Sequence, residues 1–197
     1  AVKLALQFDQ LDKIHELLAL MQDSLTRLDA YIDSLRDYYL LRRGELTLSD
    51  ISFDRLFRNI AQFYQVSTRN NEVQFNITVE QNEMFKSDIV VLELILHNLL
   101  SNAFKYQKLE SGTKSVNLSV RVEKGTATIV VSDTGIGIPA EHIDDIFTLF
   151  FRASDQAQGM GFGLYNVSSA LLKLKGTIDV KSTLGQGTTF TVVVPTK

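Results

Sequence analysis

Asn98-Leu99-Leu100-Ser101-Asn102-Ala103-Phe104-Lys105-Tyr106 sets two amides into a stretch that otherwise has the pattern of a buried helix. Asn98 and Asn102 are four residues apart, so on a helix they share a face, with Lys105 close to it. Burying two amides on so apolar a helix is costly unless both find partners. One reading gives them loop backbone to bond. The other uses the amide oxygen as a hard ligand for Mg²⁺, an ion that is bound together with phosphates and waters rather than caged by protein.

Three further stretches follow downstream. Val130-Val131-Ser132-Asp133-Thr134-Gly135-Ile136-Gly137-Ile138-Pro139 puts a carboxylate directly after a strand. Such an Asp can simply start a turn. It can also stand at a pocket floor and accept from an amino group, with Gly135 and Gly137 allowing close backbone approach. Phe147-Thr148-Leu149-Phe150-Phe151-Arg152 reads as aromatic anchors of a core or lid, and Arg152 is the one cation between Pro139 and Gly159. Gly159-Met160-Gly161-Phe162-Gly163-Leu164 opens a helix. It is either a hinge or an anion site, because free amides and the helix dipole at an N-terminus favour negative charge. Gly185-Gln186-Gly187-Thr188-Thr189-Phe190 by itself is a hairpin turn.

Around these stretches the chain divides in two. Leu11, Ile14, Leu18, Met21, Leu25, Leu28, Ile32, Leu35 and Tyr39 recur in alternating steps of three and four, a heptad seam closed by Arg42, Arg43 and Gly44. Such a helix cannot bury its own stripe, and the regular period favours a bundle over a single globular contact. Residues 1–45 are therefore one region and 46–197 another. The second should hold an edge strand at Thr47–Ile51, a helix over Phe53–Gln65 capped by Ser52, and a strand at Val73–Val79. A helix over Ile89–Tyr106 capped by Ser87 or Asp88 comes next, then a hairpin of Ser115–Val122 and Thr126–Val131. Short helices over Glu141–Phe147 and Phe162–Lys173 precede a last hairpin of Thr177–Lys181 and Thr188–Val194. Strands that come mostly as hairpins predict a mixed, largely antiparallel sheet with helices on one face. The long Pro139–Gly159 segment has the character of a lid.

Composition excludes several classes. The 197 residues carry a net charge of −3 and no cysteine, so there is no disulfide framework or thiolate metal site. His15, His97 and His142 lack metal-ligand spacing. There is no basic stripe for nucleic acid. The longest apolar run, Ile89–Leu100, is interrupted by Glu93, His97 and Asn98 and is too short to span a bilayer. A cytoplasmic segment without direct membrane contact fits, whether or not the parent protein is anchored. Gly135-x-Gly137-x-x-Ala140 after a strand formally fits a dinucleotide fingerprint, but Pro139 breaks its second half and the unit is not the first βαβ.

In their order and spacing, the features after residue 46 resemble the N, G1, F, G2 and G3 boxes of histidine kinase catalytic domains, which share a fold with the gyrase-type ATPases. The resemblance implies an α+β fold: a two-layer α/β sandwich of the Bergerat type, here preceded by a long coiled-coil-like helix. It implies ATP and Mg²⁺, with Asn102 on the metal, Asn98 on the phosphate side, and Lys105 and Tyr106 along phosphates and ribose. Asp133 would read adenine, with Gly135, Gly137 and Thr188 shaping its site. Gly161 and Gly163 would support phosphates, and Arg152 would reach the terminal one. Ile138, Phe150, Gly159, Phe162 and Leu164 complete the implied nucleotide-binding set, although Phe162 stands where the family usually has Leu. Asn98, Lys105 and Arg152 form the implied catalytic set. Water-using ATPases of the superfamily carry Glu four residues before the metal-binding Asn. Here that residue is Asn98, and Glu93 is about 900° of helix turn from Asn102, on the opposite face. The expected chemistry is therefore phosphoryl transfer to a separate nucleophile.

The N-terminal helix resembles the second helix of the family's dimerisation hairpin. That implies a homodimer through this helix and a response regulator receiver domain as partner. His15-Glu16-Leu17 imitates the start of the phosphoacceptor motif but lacks its Pro and lies inside the heptad helix, so His15 reads as a surface histidine flanking the seam. The true acceptor is expected outside this chain. Two alternatives share the second region: a nucleotide-binding dimeric signalling module without kinase activity, and an anti-sigma-type serine kinase, which does not need the heptad helix.

Overall fold

The computed structural model describes residues 44–71, 73–108, 114–151 and 161–197 without a break. Before them it describes Lys13–His15, Leu17–Gln22, Ser24, Leu25, Leu28, Asp29, Ile32, Leu35–Tyr39 and Leu41. They fall into two compact units, within residues 1–36 and 37–197. In the first, every described residue is helical, and His15 is exposed. Ile14, Leu18, Met21, Leu25, Leu28 and Ile32 are each more than half exposed. Leu11, Arg42 and Arg43 of the heptad helix expected from sequence lie outside the described residues.

After the helical residues Asp37–Tyr39 and Leu41, the described residues of the second unit form a five-stranded sheet with three helices against it. Its strands are β2 (Val73–Gln81), β4 (Lys114–Glu123), β5 (Thr126–Asp133), β6 (Thr177–Thr183) and β7 (Gly187–Pro195), in the order β2-β4-β5-β7-β6. Only the β2–β4 pair is parallel. The helices are α1 (Phe53–Asn71), α2 (Ile89–Lys105) and α3 (Gly163–Leu174). A separate two-stranded ribbon pairs β1 (Leu48–Asp50) with β3 (Lys86–Asp88).

Alternation in the strands decides which face the helices cover. Val116, Leu118, Val120 and Val122 of β4, Ala127, Ile129 and Val131 of β5, and Phe190, Val192 and Val194 of β7 are buried on one face. Against them lie Leu92, Ile95, Leu96, Leu99 and Leu100 of α2, Val167, Ala170, Leu171 and Leu174 of α3, and Phe53, Phe57 and Ile60 of α1. Each Val, Leu, Ile or Phe among them contributes about 1.5–3 kcal/mol by leaving water. Carried one step further along the same face, the pattern turns polar. The next positions are Asp133 on β5, Thr188 on β7 and Ser182 on β6, the last two directly paired.

The helix starts follow their caps. Asp88, rather than Ser87, caps α2, its carboxylate accepting from the N–H groups of Val90 and Val91 at 3.0 and 3.2 Å. Ser52 caps α1 through Arg55 at 3.3 Å. Two expectations need correction, and one strand was not expected. Helix α1 runs to Asn71 rather than Gln65, because no Gly or Pro interrupts it. Strand β3 is too short to show alternation in the sequence. In place of a helix over Glu141–Phe147 there is a 3-10 turn, Ala140–His142, followed by turns. The hydrogen bonds there span three residues, from His142 to Pro139, Asp145 to His142 and Thr148 to Asp145. This tighter winding buries Ile146 while Asp144 and Asp145 stay exposed.

Candidate functional site

The polar end of the helix-facing sheet surface is where the sequence features meet. Asp133 ends β5 half-buried, and its Oδ1 accepts the Gly135 N–H at 2.7 Å. Burial pushes the Asp133 carboxyl above its ordinary range, while the backbone N–H groups of Gly135 and Thr188 pull it back. A cleft of about 430 Å³ opens beside it, lined among others by Ile143, Ser182, Gly187 and Thr188. That volume is in the range of small-ligand sites.

The backbone around Asp133 is packed too closely for side chains. A Cβ on Gly135 would stand 2.3 Å from the Tyr106 carbonyl oxygen, and one on Gly137 2.2 Å from that of Thr183. Gly187, at φ +116°, would place a Cβ 2.0 Å from the Asp133 carbonyl oxygen. The same loop is tied to the end of α2, since the Ile136 N–H donates to the Tyr106 carbonyl at 2.9 Å. It is also tied to β6, the Ile138 N–H donating to Ser182 Oγ at 2.8 Å. No helix opens after Gly137, so the dinucleotide fingerprint has no N-terminus to point at a pyrophosphate.

On α2, Asn98 and Asn102 are both half-buried. The Asn98 Nδ2 donates to the Leu94 carbonyl at 2.8 Å, which leaves Oδ1 directed at the start of α3. A Cβ on Gly163 would lie 3.0 Å from that oxygen, so the Asn98 amide and the first turn of α3 face one another at close range. Lys105 is exposed in the last turn of α2, with Nζ 4.9 Å above the Tyr106 ring. Glu93 points its influence elsewhere: together with Asp37 it acts on His97, whose pKa is held below its ordinary value chiefly by burial.

Leading into α3, Phe162 is buried and meets the exposed Phe150 edge-to-face at 5.0 Å. The Phe150 N–H donates to the Gly161 carbonyl at 3.1 Å, and a Cβ on Gly161 would collide with Phe150 backbone. Phe150 itself takes φ +67°, a strained value for a non-glycine residue. Leu164 and Ile138 pack against the core. Arg152 and Gly159, named from sequence, lie outside the described residues. The structure thus joins Asn98 with Gly163, Tyr106 with Gly135 and Ile136, Asp133 with Gly135, Gly187 and Thr188, and Phe150 with Gly161 and Phe162. Ser182 was missed by sequence reasoning. It sits in an ordinary strand pattern and only the register against Thr188 brings it into the site.

The model of the Histidine kinase-, DNA gyrase B-, and HSP90-like ATPase family matches residues 87–197, more than half of the chain and the whole of this site. The chain belongs to that family. It is similar to the sensor histidine kinase AtsR of Burkholderia thailandensis, 29% identical over 182 residues that make up 89% of this chain and 30% of the relative. It is also similar to the circadian input-output histidine kinase CikA of Synechococcus elongatus, 32% identical over 193 residues, 93% of this chain and 25% of that one. The chain therefore spans under a third of either relative. In fold it is similar to full-length ShkA, solved in complex with AMPPNP, with a TM-score of 0.78, 23% identity and coverage of 92% of this chain and 38% of that one. It is similar likewise to the Acinetobacter baumannii histidine kinase AdeS, with a TM-score of 0.73, 20% identity and coverage of 92% and 84%. The catalytic segment is of the ATPase type found in sensor histidine kinases, which supports ATP binding here. Among the described residues no helix is long and apolar enough to cross a membrane.

Proposed function

We propose that the chain is the ATP-dependent kinase core of a two-component sensor. It would transfer the γ-phosphoryl group of ATP to a histidine for relay to an aspartate of a response regulator. The observation that carries this reading is the gap between Asn98 Oδ1 and Gly163. It puts a hard oxygen ligand opposite a glycine-opened helix N-terminus, on the same side of the sheet as Asp133. In this reading Asp133 accepts from the adenine amino group. Gly161 and Gly163 hold phosphates on free backbone N–H groups, and Lys105 and Arg152 neutralise their charge. The amide oxygens of Asn102 and Asn98 suit Mg²⁺, which supplies charge neutralisation on the phosphates when bound. With an amide at position 98, the place where the water-using ATPases carry Glu holds no carboxylate to activate water. The reading also includes a homodimer through the stripe Ile14–Ile32 and a receiver domain as partner. It takes 1–45 as part of a dimerisation region and 46–197 as the catalytic domain, in a cytoplasmic setting.

The test is incubation of the chain with γ-labelled ATP, Mg²⁺ and a separate histidine-bearing helical hairpin. The expected label on the hairpin is lost in acid and kept in base, as a phosphoramidate is, and Asn102→Ala abolishes it. An acid-stable label would favour a serine kinase. Phosphate release to water outpacing transfer would contradict the assignment of Asn98.

A further inference from the structure

Ser182 Oγ lies within hydrogen-bond reach of three groups, one from the loop after β5 and two from the start of β7. It receives the Ile138 N–H at 2.8 Å and is 2.9 Å from both the Gly187 carbonyl oxygen and Thr188 Oγ1. A serine hydroxyl has one hydrogen to give and two lone pairs to receive with. The Gly187 carbonyl can only accept, so the Ser182 hydrogen goes there. The Thr188 hydroxyl is then the donor of its contact with Ser182, and the Ser182 oxygen is filled by Ile138 and Thr188 together. Thr188 Oγ1 has spent its hydrogen and keeps only lone pairs. It is buried and lines the cleft with Asp133, which binds the Thr188 N–H as well. The cleft wall thus offers two acceptors side by side, a carboxylate and a hydroxyl oxygen turned proton-out, and both call for a donor on the ligand.

We propose that Ser182 is a specificity-determining positioning residue. By taking the Thr188 hydrogen it makes this wall select a purine with a 6-amino group, a donor, over one with a 6-oxo group, an acceptor. The inference rests on the nucleotide-binding reading of the same site. Removing the Ser182 hydroxyl frees Thr188 to rotate and donate, which weakens the match to the amino group and relieves the clash with the oxo group.

The experiment titrates the chain with ADP and with inosine diphosphate, each with Mg²⁺, for wild type, Ser182→Ala, Thr188→Val and the double variant. The readout is the ratio of the two dissociation constants within one sample, which a reduced folded fraction does not change. Wild type is expected to prefer ADP. Ser182→Ala lowers that preference about five- to tenfold, the scale of one neutral hydrogen bond. Thr188→Val lowers it by a similar factor, and the double variant goes no further than Thr188→Val. If Ser182→Ala weakens both nucleotides equally and the ratio stands, Ser182 is only a structural brace and the proposal is overturned. If wild type binds neither nucleotide, the nucleotide-binding reading itself falls and takes this one with it.

Discussion

At the scale of single residues, Asp133 carries the most chemistry and the clearest pH signature. Its folded pKa lies above the ordinary 3.8, with burial as the main cause. A raised folded pKa contributes stability that is fully present below 3.8 and is lost as pH rises through the folded value. Ionising Asp133 therefore costs the empty domain stability, while an adenine amino group needs the ionised acceptor. Nucleotide affinity should rise with pH across that window as the ligand-free wild type loses stability relative to Asp133→Asn, read by titration and by denaturant melts. Affinity that stays flat as pH rises above 3.8 would remove Asp133 from the site. Alone, Asp133 reads as the start of a turn, and it was legible as a site residue in the sequence only because its order and spacing with the other boxes resemble the histidine kinase catalytic domains. Ser182 was not, because its role depends on which residue the neighbouring strand sets beside it.

At the scale of elements, the boundaries that read correctly are those with a local cause. Asp88 caps α2, and Gly163 begins α3 where glycines precede an apolar run. What was illegible depends on contacts at a distance. The carboxylate of Asp88 also accepts the Thr47 N–H at 2.7 Å, stapling the chain just before β1 to the start of α2, and no spacing rule predicts a bond across 41 residues. Asp88 is buried and serves three backbone donors. Asp88→Ala should lower unfolding free energy by about 2 kcal/mol, the upper range for a lost cap. It should shift the denaturant midpoint with little change in slope. A loss under about 0.5 kcal/mol would mean that water replaces the carboxylate at no cost. The segment after Pro139 shows the opposite failure. Its composition suits a helix, but tight turns serve the burial of Ile146 better.

At the scale of the whole molecule, one sheet face serves two purposes. Along most of its length it is core, and at one end its inward positions become Asp133, Thr188 and Ser182. Helix α2 repeats this division, with leucines and isoleucines toward the core and Asn98 toward α3. Stability and ligand binding thus share the same elements, so the site is held by the packing of the domain and not by loops alone. The fold class was legible because hairpin spacing and the amide-bearing helix each restrict it. Asn98 and Gly163, 65 positions apart, were not legible as neighbours because only the packing of α2 beside α3 brings them together. The central claim is that this polar end binds a nucleotide through Asp133. The most direct measurement is calorimetric titration of the chain with a non-hydrolysable ATP analogue and Mg²⁺, wild type against Asp133→Asn. Wild type is expected to bind clearly and the variant to lose roughly 1–3 kcal/mol, the scale of an unmatched buried polar group. Equal binding by both, or none by wild type at millimolar nucleotide, would contradict it.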